Sequence, residues 1–571
     1  MLKRFDLLAV AALALAACSP KPAETPAAEA PAAEAPPVGA KLTTSPDILG
    51  ADIAARVKEL ADDKYQGRGP GTVAGEAAAQ WIADEMKRAG LEPAVDGTYF
   101  QTVEMVAQTV NKDTSKLAIA GPDGKTFDYK LGPDAVYITK RQDVNTVSFA
   151  DSDLVFVGYG VVAPEANWND YAGIDVKGKT VVMFVNDPGF VTNDDKLFNG
   201  RAMTYYGRWT YKFEEAARQG ATAALIIHET EPASYGWDVV QGSWTGEQSD
   251  LVRADAGASR ASLEGWITLD RGKELFAAAG MDIDAMRAAA NKPGFRPVAM
   301  TGLKASATIN QTVEKRQSRN VAGMIRGSEK PDEFVMFMAH WDHLGMDKTA
   351  MPGVDNIYNG AVDNATGVAD ILEIAEKMAS DPKPKRSVLF LAVTLEESGL
   401  LGSAYFGDYP FVPLNKIVAG VNIDAINPMG RTKDVIVVGA GASQLEDRLK
   451  AILDKAGRVA RPDPEPQAGY FYRSDHVSLA KKGVPMLYMD GGIDALDGGE
   501  AKGIGVSEAY RRLAYHAPSD EFREDWDWSG VEEDAKVSYE LASGLANSAD
   551  WPEWYAGNEF KAIREASLKG Q

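Results

Sequence analysis

The sequence predicts an α/β protein built as a three-layer α/β/α sandwich with a mostly parallel central sheet. After Asn320, short apolar runs alternate with segments in which apolar residues recur at helical spacing. This alternation is typical of parallel strands joined by helices that cover both faces of the sheet. A chain of 571 residues is too long for one hydrophobic core, so we expect two or more domains.

The N-terminus is predicted to contain a targeting segment and a tether. Residues 1–17 combine two basic residues with a short apolar run that ends in small residues, as in a signal peptide. Cys18 follows Leu-Ala-Ala, as in a bacterial lipobox, and is the only cysteine of the chain, so we expect a lipid there; a plain secretory signal is the alternative. Residues 18–45 are rich in Pro, Ala and Glu and are predicted to be a disordered tether. These features predict a lipid-anchored, periplasm-facing protein of the cell envelope, and the resemblance of Ser19 to the residue after the cysteine in bacterial lipoproteins implies the outer membrane.

Residues 46–144 are predicted to form the first part of the sandwich domain. Two helices have apolar residues on one face, the first from Asp52 onward and the second ending at Gly90. The glycine-rich loop between them, Gln66 to Gly71, lacks the Lys-Ser/Thr of a phosphate-binding loop and follows no strand. We therefore expect a plain turn there.

Residues 145–311 differ in sequence pattern from the segments on either side and are predicted to be an inserted, β-rich α+β domain. The predicted strands of this segment are Leu154–Val162, Thr180–Val185 and Ala223–Ile227. His228 follows the last of these strands without a pattern of further ligands around it, so it is interpreted as structural.

Residues 312–560 are predicted to complete the sandwich, and chemically versatile side chains lie at the ends of its strands. Five such side chains directly follow apolar runs or begin the next helix: His340, Asp363, Glu396, Glu397 and Asp424. Because the carboxyl ends of parallel strands meet at one edge of a sheet, we expect these side chains to converge. With His516 they supply two imidazoles, three carboxylates and one spare carboxylate, a set suited to two zinc ions and a general base.

The order of the motifs resembles that of a known enzyme family. The motifs are HWD at 340–342, GAVDNATG at 360–367, EE at 396–397, NID at 422–424 and YHAPSD at 515–520. This order is similar to the zinc-dependent exopeptidase family that includes bacterial leucyl aminopeptidase, glutamate carboxypeptidase II, glutaminyl cyclase and the transferrin receptor. The resemblance covers roughly residues 45–140 and 312–550. The inserted segment resembles a protease-associated domain in its sequences VFVGYG at 155–160 and DYAGIDVKGK at 170–179.

The resemblance implies how two Zn²⁺ ions would be bound. His340 would bind one ion and Asp424 the other, with Asp363 bridging them. Glu397 would complete the first site and His516 the second. The resemblance also implies a cis peptide bond after Asp363.

The same resemblance implies catalytic roles for neighbouring side chains. Glu396 would act as general base and acid, and Asp342 would orient the His340 imidazole. His476 and Tyr515 are candidates for contacting the substrate or the oxyanion, each with a structural role as the alternative, and Arg473 is a candidate for contacting the substrate. His343 is interpreted as structural or as a supporting residue behind the ligands.

The function expected from these observations is that of a zinc-dependent aminopeptidase acting on peptides. A carboxypeptidase or dipeptidase of the same family is the nearest alternative, with Arg473 binding the substrate carboxylate. A non-catalytic binding protein on the same scaffold, as in the transferrin receptor, is an alternative of another class. A formal net charge of -22 argues against a nucleic acid partner, which would need a basic surface.

Overall fold

The computed structural model describes residues 36–569, apart from 123, 195 and 348–349. The predicted signal peptide, Cys18 and most of the predicted tether lie outside the described residues. Within the described part of the chain, none of the helices has the length and apolar character needed to cross a membrane.

The described elements alternate between helix and strand over most of the chain. The longer helices are Gly50–Leu60, Val73–Arg88, Trp209–Arg218, Trp237–Trp244, Leu269–Ala278, Ile283–Ala290, Thr366–Ser380, Leu401–Asp408, Leu445–Ala456, Gly499–Leu513, Ser529–Ala546 and Lys561–Lys569; short ones are Gly189–Thr192, Thr230–Ala233 and His476–Ala480. The longer strands are Phe100–Val110, Lys116–Ala120, Thr126–Tyr129, Ala135–Ile138, Thr146–Phe156, Thr180–Phe184, Ala223–Ile227, Gln248–Leu251, Leu263–Ile267, Val298–Ile325, Lys330–His340, Arg386–Val393, Ile417–Asn422, Asp434–Val438, Val459–Pro462 and Met486–Gly491.

The main sheet has a parallel centre and antiparallel flanks. Its four central strands pair in parallel, in the spatial order Arg386–Val393, Lys330–His340, Ile417–Asn422 and Met486–Gly491. On one side the C-terminal half of Val298–Ile325 adds antiparallel and then pairs with Phe100–Val110. On the other side Asp434–Val438 adds antiparallel to Met486–Gly491.

Helices cover both faces of this sheet, which confirms the predicted three-layer sandwich. Alternate residues of strand Lys330–His340 point to opposite faces because the side-chain period of a strand is two. Val335 and Phe337 pack among helices Gly50–Leu60, Thr366–Ser380 and Ser529–Ala546. Met336 and Met338 pack on the other face with residues of Leu401–Asp408 and His476–Ala480.

A second sheet has its own hydrophobic core and begins earlier in the chain than position 145. Three short strands lie before that position: Lys116–Ala120 pairs with Val298–Ile325, Thr126–Tyr129 pairs with Lys116–Ala120, and Ala135–Ile138 pairs with Leu263–Ile267. The core of this region extends from Val110 to Ile309. The strands of this sheet thus begin before position 145, and apolar clustering alone does not show which sheet a short strand joins. There is also no break at 311, because strand Val298–Ile325 runs through both sheets.

The predicted strand Leu154–Val162 ends early, at Phe156. Gly158 and Gly160 adopt positive φ angles of 57° and 66°, which a strand does not tolerate. The turn is held by the buried carboxylate of Asp170, which accepts hydrogen bonds from the backbone N–H groups of Tyr159 and Val161 at 3.1 and 3.0 Å.

Candidate metal centre

The five predicted ligands converge at the carboxyl edge of the central strands. Imidazoles and carboxylates alternate along a continuous series of contacts. His340 Nε2 lies 3.2 Å from Asp424 Oδ1 and 3.1 Å from Asp363 Oδ1. His516 Nε2 lies 3.4 Å from Asp363 Oδ2 and 3.0 Å from Glu397 Oε2. The five side chains thus lie together, and Asp363 stands in the middle of the series, with His340 on one oxygen and His516 on the other.

The ligands pair differently from the assignment carried over by resemblance. His340 groups with Asp424, and Glu397 with His516, whereas the expectation joined His340 to Glu397 and Asp424 to His516. The reason is strand order, since Lys330–His340 and Ile417–Asn422 are adjacent parallel strands and their ends lie side by side. Glu397 instead follows a turn at Leu395, which has a φ angle of 59°, and reaches the far side of Asp363.

The segment that carries Asp363 is fixed by polar contacts from two other parts of the chain. The Asp363–Asn364 peptide bond is cis, as expected. Asn364 Nδ2 donates to the carbonyl of Ile423 at 3.0 Å, beside Asp424. Asp520, four residues after His516, accepts from the N–H groups of Val362 and Asp363 at 3.0 and 3.1 Å. Sequence reasoning did not assign a role to Asp520, although it is the last residue of the YHAPSD motif.

Asp342 contributes to the site, though not through the contact that was expected. The backbone carbonyl of Asp342 lies 3.0 Å from His340 Nδ1, whereas its carboxylate is 3.9 Å away, beyond hydrogen-bond distance. The carboxylate accepts from the backbone N–H of Glu396 at 3.1 Å instead. Burial raises the pKa of Asp342 to about 7. The main chain therefore orients the imidazole, and the side chain positions the segment that bears the glutamate pair.

Glu396 lies outside both ligand groups and makes no ion pair among the described residues. Burial, together with the carboxylates of Glu397 and Asp424, raises its pKa well above the ordinary value. Glu397 behaves oppositely, because His516 and His343 hold its pKa at about 2 despite burial. Two adjacent glutamates therefore occupy distinct environments, one suited to accepting a proton and the other to remaining ionised.

Two further polar residues support the ligands and were missed by sequence reasoning. Ser474 Oγ donates to Asp424 Oδ2 at 2.6 Å and accepts from Asn422 Nδ2 at 2.7 Å. Arg68 is fully buried and donates to the carbonyls of Trp341, Leu60, Asn359 and Gly360, so it joins the loops that carry His340 and Asp363. The loop that contains Arg68 was interpreted as a plain turn, and only a search for a cation near the carboxylates could have singled it out.

The donor set fits two divalent ions of the zinc type. One group contains His340, Asp363 and Asp424 and a second contains His343, Asp363 and Glu397, with the donor atoms of each group within 4.8 Å of one another. His516 lies against Asp363 and Glu397 of the second group. Imidazole nitrogen and carboxylate oxygen are common zinc ligands, and a shared carboxylate is the usual feature of a two-metal site.

The three candidates for substrate contact lie in different settings. His476 is fully buried between Phe471 and Tyr488, with ring centroids 4.6 and 5.1 Å away, which leaves the structural alternative. Tyr515 is 37% exposed and stacks on His516 with centroids 3.9 Å apart. Arg473 lies over the ring of Tyr470 at 5.3 Å and is near enough to Glu396 to interact with it electrostatically.

Arg208, in the region of the second sheet, lies near the same place and was not singled out by sequence reasoning. Burial and the neighbouring charge of Arg473 lower its pKa to about 10, and Glu396 acts in the opposite direction. Its segment packs against the loop before Arg473, where Met203 N–H donates to the carbonyl of Pro466 at 3.1 Å. Two parts of the chain thus place guanidinium groups within electrostatic reach of Glu396.

Comparisons with known proteins point to one family. Residues 320–542 match the sequence model of peptidase family M28. The chain is 31% identical over 140 residues to Aminopeptidase NAALADL1 of Mus musculus, over 23% of this chain and 17% of that protein. It is also 31% identical over 140 residues to a Glutamate carboxypeptidase 2 homolog of Caenorhabditis elegans, over 24% of this chain and 16% of that protein. The chain thus spans about a sixth of the length of these relatives.

Solved structures also resemble this fold at low sequence identity. An aminopeptidase from Aneurinibacillus sp. strain AM-1 superposes with a TM-score of 0.47 and 18% identity, covering 87% of this chain and 93% of that chain. BSAP, a zinc aminopeptidase from Bacillus subtilis, gives a TM-score of 0.43 and 16% identity, covering 89% of this chain and 97% of that chain.

Proposed function

We propose that this chain, whose residues 320–542 match the sequence model of peptidase family M28, is a dinuclear zinc exopeptidase that removes residues from the N-terminus of peptides. The observation that carries the proposal is the alternating series of carboxylates and imidazoles, which divides into two groups that share Asp363. His340 and Asp424 would complete the site for one zinc ion, and Glu397 and His516 the site for the other. Zinc bound there would lower the pKa of a water molecule and polarise the scissile carbonyl.

The protein's own contribution to hydrolysis falls to Glu396. It follows strand Arg386–Val393, is not a member of either ligand group, and has its backbone held by Asp342 at 3.1 Å. Glu396 would take the proton of the attacking water and return it to the leaving amine.

Replacing Glu396 by Gln tests this assignment. We expect turnover of a peptide substrate to fall by about 100-fold or more because the base is lost, while two zinc ions per chain remain. Glu540→Gln, at an exposed position of helix Ser529–Ala546, is the matched control and should leave both quantities unchanged. Full activity in Glu396→Gln, or a wild-type protein that retains no zinc, would end the proposal.

A second candidate, a carboxypeptidase or dipeptidase, is supported by Arg208 and Arg473. Neither guanidinium forms an ion pair with a carboxylate of the described residues, and Arg208 Nε is buried without a hydrogen-bond partner. Two cations without a carboxylate partner, within electrostatic reach of the proposed general base, suit a substrate carboxylate. The two relatives compared above, one of each kind, are equally similar and do not discriminate.

Substrate blocking distinguishes the two candidates. Aminoacyl-nitroanilides have a free N-terminal amine and no C-terminal carboxylate. N-blocked dipeptides have a free C-terminal carboxylate and no free amine. Hydrolysis of the nitroanilides alone supports an aminopeptidase. Hydrolysis of the N-blocked dipeptides, with a KM that rises in both Arg208→Gln and Arg473→Gln, supports the carboxypeptidase. A protein that binds zinc but hydrolyses neither set would be a binding protein.

We also propose that the chain is a lipoprotein of the bacterial cell envelope, anchored through Cys18. The support is the sequence of the first 45 residues alone. Expression with a radiolabelled fatty acid should label the wild type and not Cys18→Ser, and the wild type alone should remain with the membrane fraction. Equal labelling of both proteins would refute the anchor.

A further inference from the structure

His343 occupies a rigid position directly behind the second group of ligands. It lies three residues after His340, and its side chain is fully buried. Its ring fills the space next to Gly360, where an added Cβ would lie 2.7 Å from both Cδ2 and Cγ of the imidazole. Its backbone N–H donates to the carbonyl of Arg68 at 3.3 Å. The ring therefore has little freedom to move.

The polar contact of this ring is with a predicted metal ligand. His343 Nδ1 lies 2.6 Å from Glu397 Oε1, while Nε2 is buried and has no hydrogen-bond partner among the described residues. An ionised carboxylate can only accept, so Nδ1 carries the hydrogen of this bond. The other oxygen of Glu397, Oε2, faces His516 at 3.0 Å.

We propose that His343 is a positioning residue of the second metal site, and this inference rests on the proposed function. By donating to Oε1 it fixes the rotation of the Glu397 carboxylate and leaves Oε2 directed at the ion. A carboxylate free to rotate would bind the ion less well, since part of the binding free energy would go into ordering it. The second site would then lose affinity while the site of His340 and Asp424 would not.

The competing role is that of a direct ligand, because Nδ1 of His343 also belongs to the group of donor atoms around Asp363 and Glu397. Two substitutions separate the roles. His343→Asn retains an N–H donor near the position of Nδ1, whereas His343→Leu fills similar space without a donor. A positioning residue is rescued by Asn, and a zinc-binding imidazole is not, because an amide is a poor zinc ligand.

The experiment measures zinc content by mass spectrometry after dialysis and zinc affinity by competition with a chromogenic chelator. We expect His343→Leu to bind the second ion about 10- to 100-fold more weakly and the first ion normally. We expect His343→Asn to stay within a few fold of wild type. His228→Leu, at a buried histidine of the second sheet region, is the control and should retain both ions.

Three results would overturn the inference. His343→Leu could retain both ions at wild-type affinity, His343→Asn could lose the second ion as fully as Leu does, or both variants could lose both ions with a lowered unfolding temperature of the metal-free chain. A wild type that binds fewer than two ions would instead refute the dinuclear proposal itself, so the two failures are distinguishable.

Discussion

Replacing His476 by Phe should remove part of the acid sensitivity of folding. The ring is fully buried in an aromatic cluster, and neither ring nitrogen has a hydrogen-bond partner among the described residues. Burial lowers its pKa from 6.5 to about 3, because a charged imidazolium would lose its hydration there. The folded state therefore keeps His476 neutral under conditions in which the unfolded chain takes up a proton.

The sign and size of the effect follow from linkage. Between pH 6.5 and about 3 the unfolded state binds one more proton at this residue, so stability is lost as the pH falls through that window. At pH 7.5 the histidine of the unfolded chain is almost entirely neutral, whereas pH 5 lies about 1.5 units below its pKa. Protonation therefore stabilises the unfolded chain by about 2 kcal/mol at pH 5, and the folded protein loses that much stability. His476→Phe should lack this contribution, since phenylalanine does not titrate.

The assay compares urea unfolding of wild type and His476→Phe at pH 7.5 and pH 5. The larger ring is expected to change the free energy of unfolding by a similar amount at both pH values. The quantity compared between the two proteins is therefore the change in free energy of unfolding from pH 7.5 to pH 5. We expect the loss of stability between pH 7.5 and 5 to be about 2 kcal/mol smaller in the variant. An identical loss in both proteins would refute the reasoning and would mean that His476 becomes protonated in the folded chain.

The remaining predictions concern residues that shape the metal centre. Gly360→Ala should lower the free energy of unfolding by about 1–3 kcal/mol, because a Cβ at a φ of 56° would lie 2.2 Å from the Asp363 carbonyl oxygen and 2.7 Å from the His343 ring. Gly353→Ala, at a φ of 85° with open space around it, controls for backbone strain alone, and an equal loss there would contradict the steric argument. Ser474→Ala removes the hydrogen bond to Asp424 Oδ2 and should weaken zinc at the first site by about 10-fold, as measured by chelator competition. Unchanged affinity in that variant would show that the serine does not orient the ligand.

The convergence of these imidazoles and carboxylates could be predicted from the sequence, whereas their division into two groups could not. His340 and Asp424 were found because a polar residue that ends an apolar run lies at the edge of the sheet. Which ligands are neighbours depends on the order of strands in space, and chain order does not give that order. Strand Ile417–Asn422 adjoins Lys330–His340 although the strand Arg386–Val393 lies between them in sequence.

The supporting residues and the start of the second sheet could not be predicted from the sequence, for related reasons. Arg68 acts through backbone carbonyls of loops far from it in sequence, and no residue pattern records such contacts. The strands between 116 and 138 are only four or five residues long, so each buries few side chains and carries a weak pattern. The first and last of them are assigned by pairing with the distant strands Val298–Ile325 and Leu263–Ile267, which is tertiary information.

The predicted ligands also differ in which of their polar atoms are bound by other parts of the chain, and this difference favours Asp363 as a carboxylate shared by two ions. Three of them direct one polar atom to the centre and have the other bound by the scaffold: His340 by the Asp342 carbonyl, Asp424 by Ser474 and Glu397 by His343. Asp363 has both oxygens directed at imidazoles, and it is held through its backbone N–H by Asp520 instead. A carboxylate that binds a single ion needs only one oxygen at the centre, whereas a carboxylate that bridges two adjacent ions needs both. The scaffold leaves both oxygens of Asp363 available, as a bridging ligand requires.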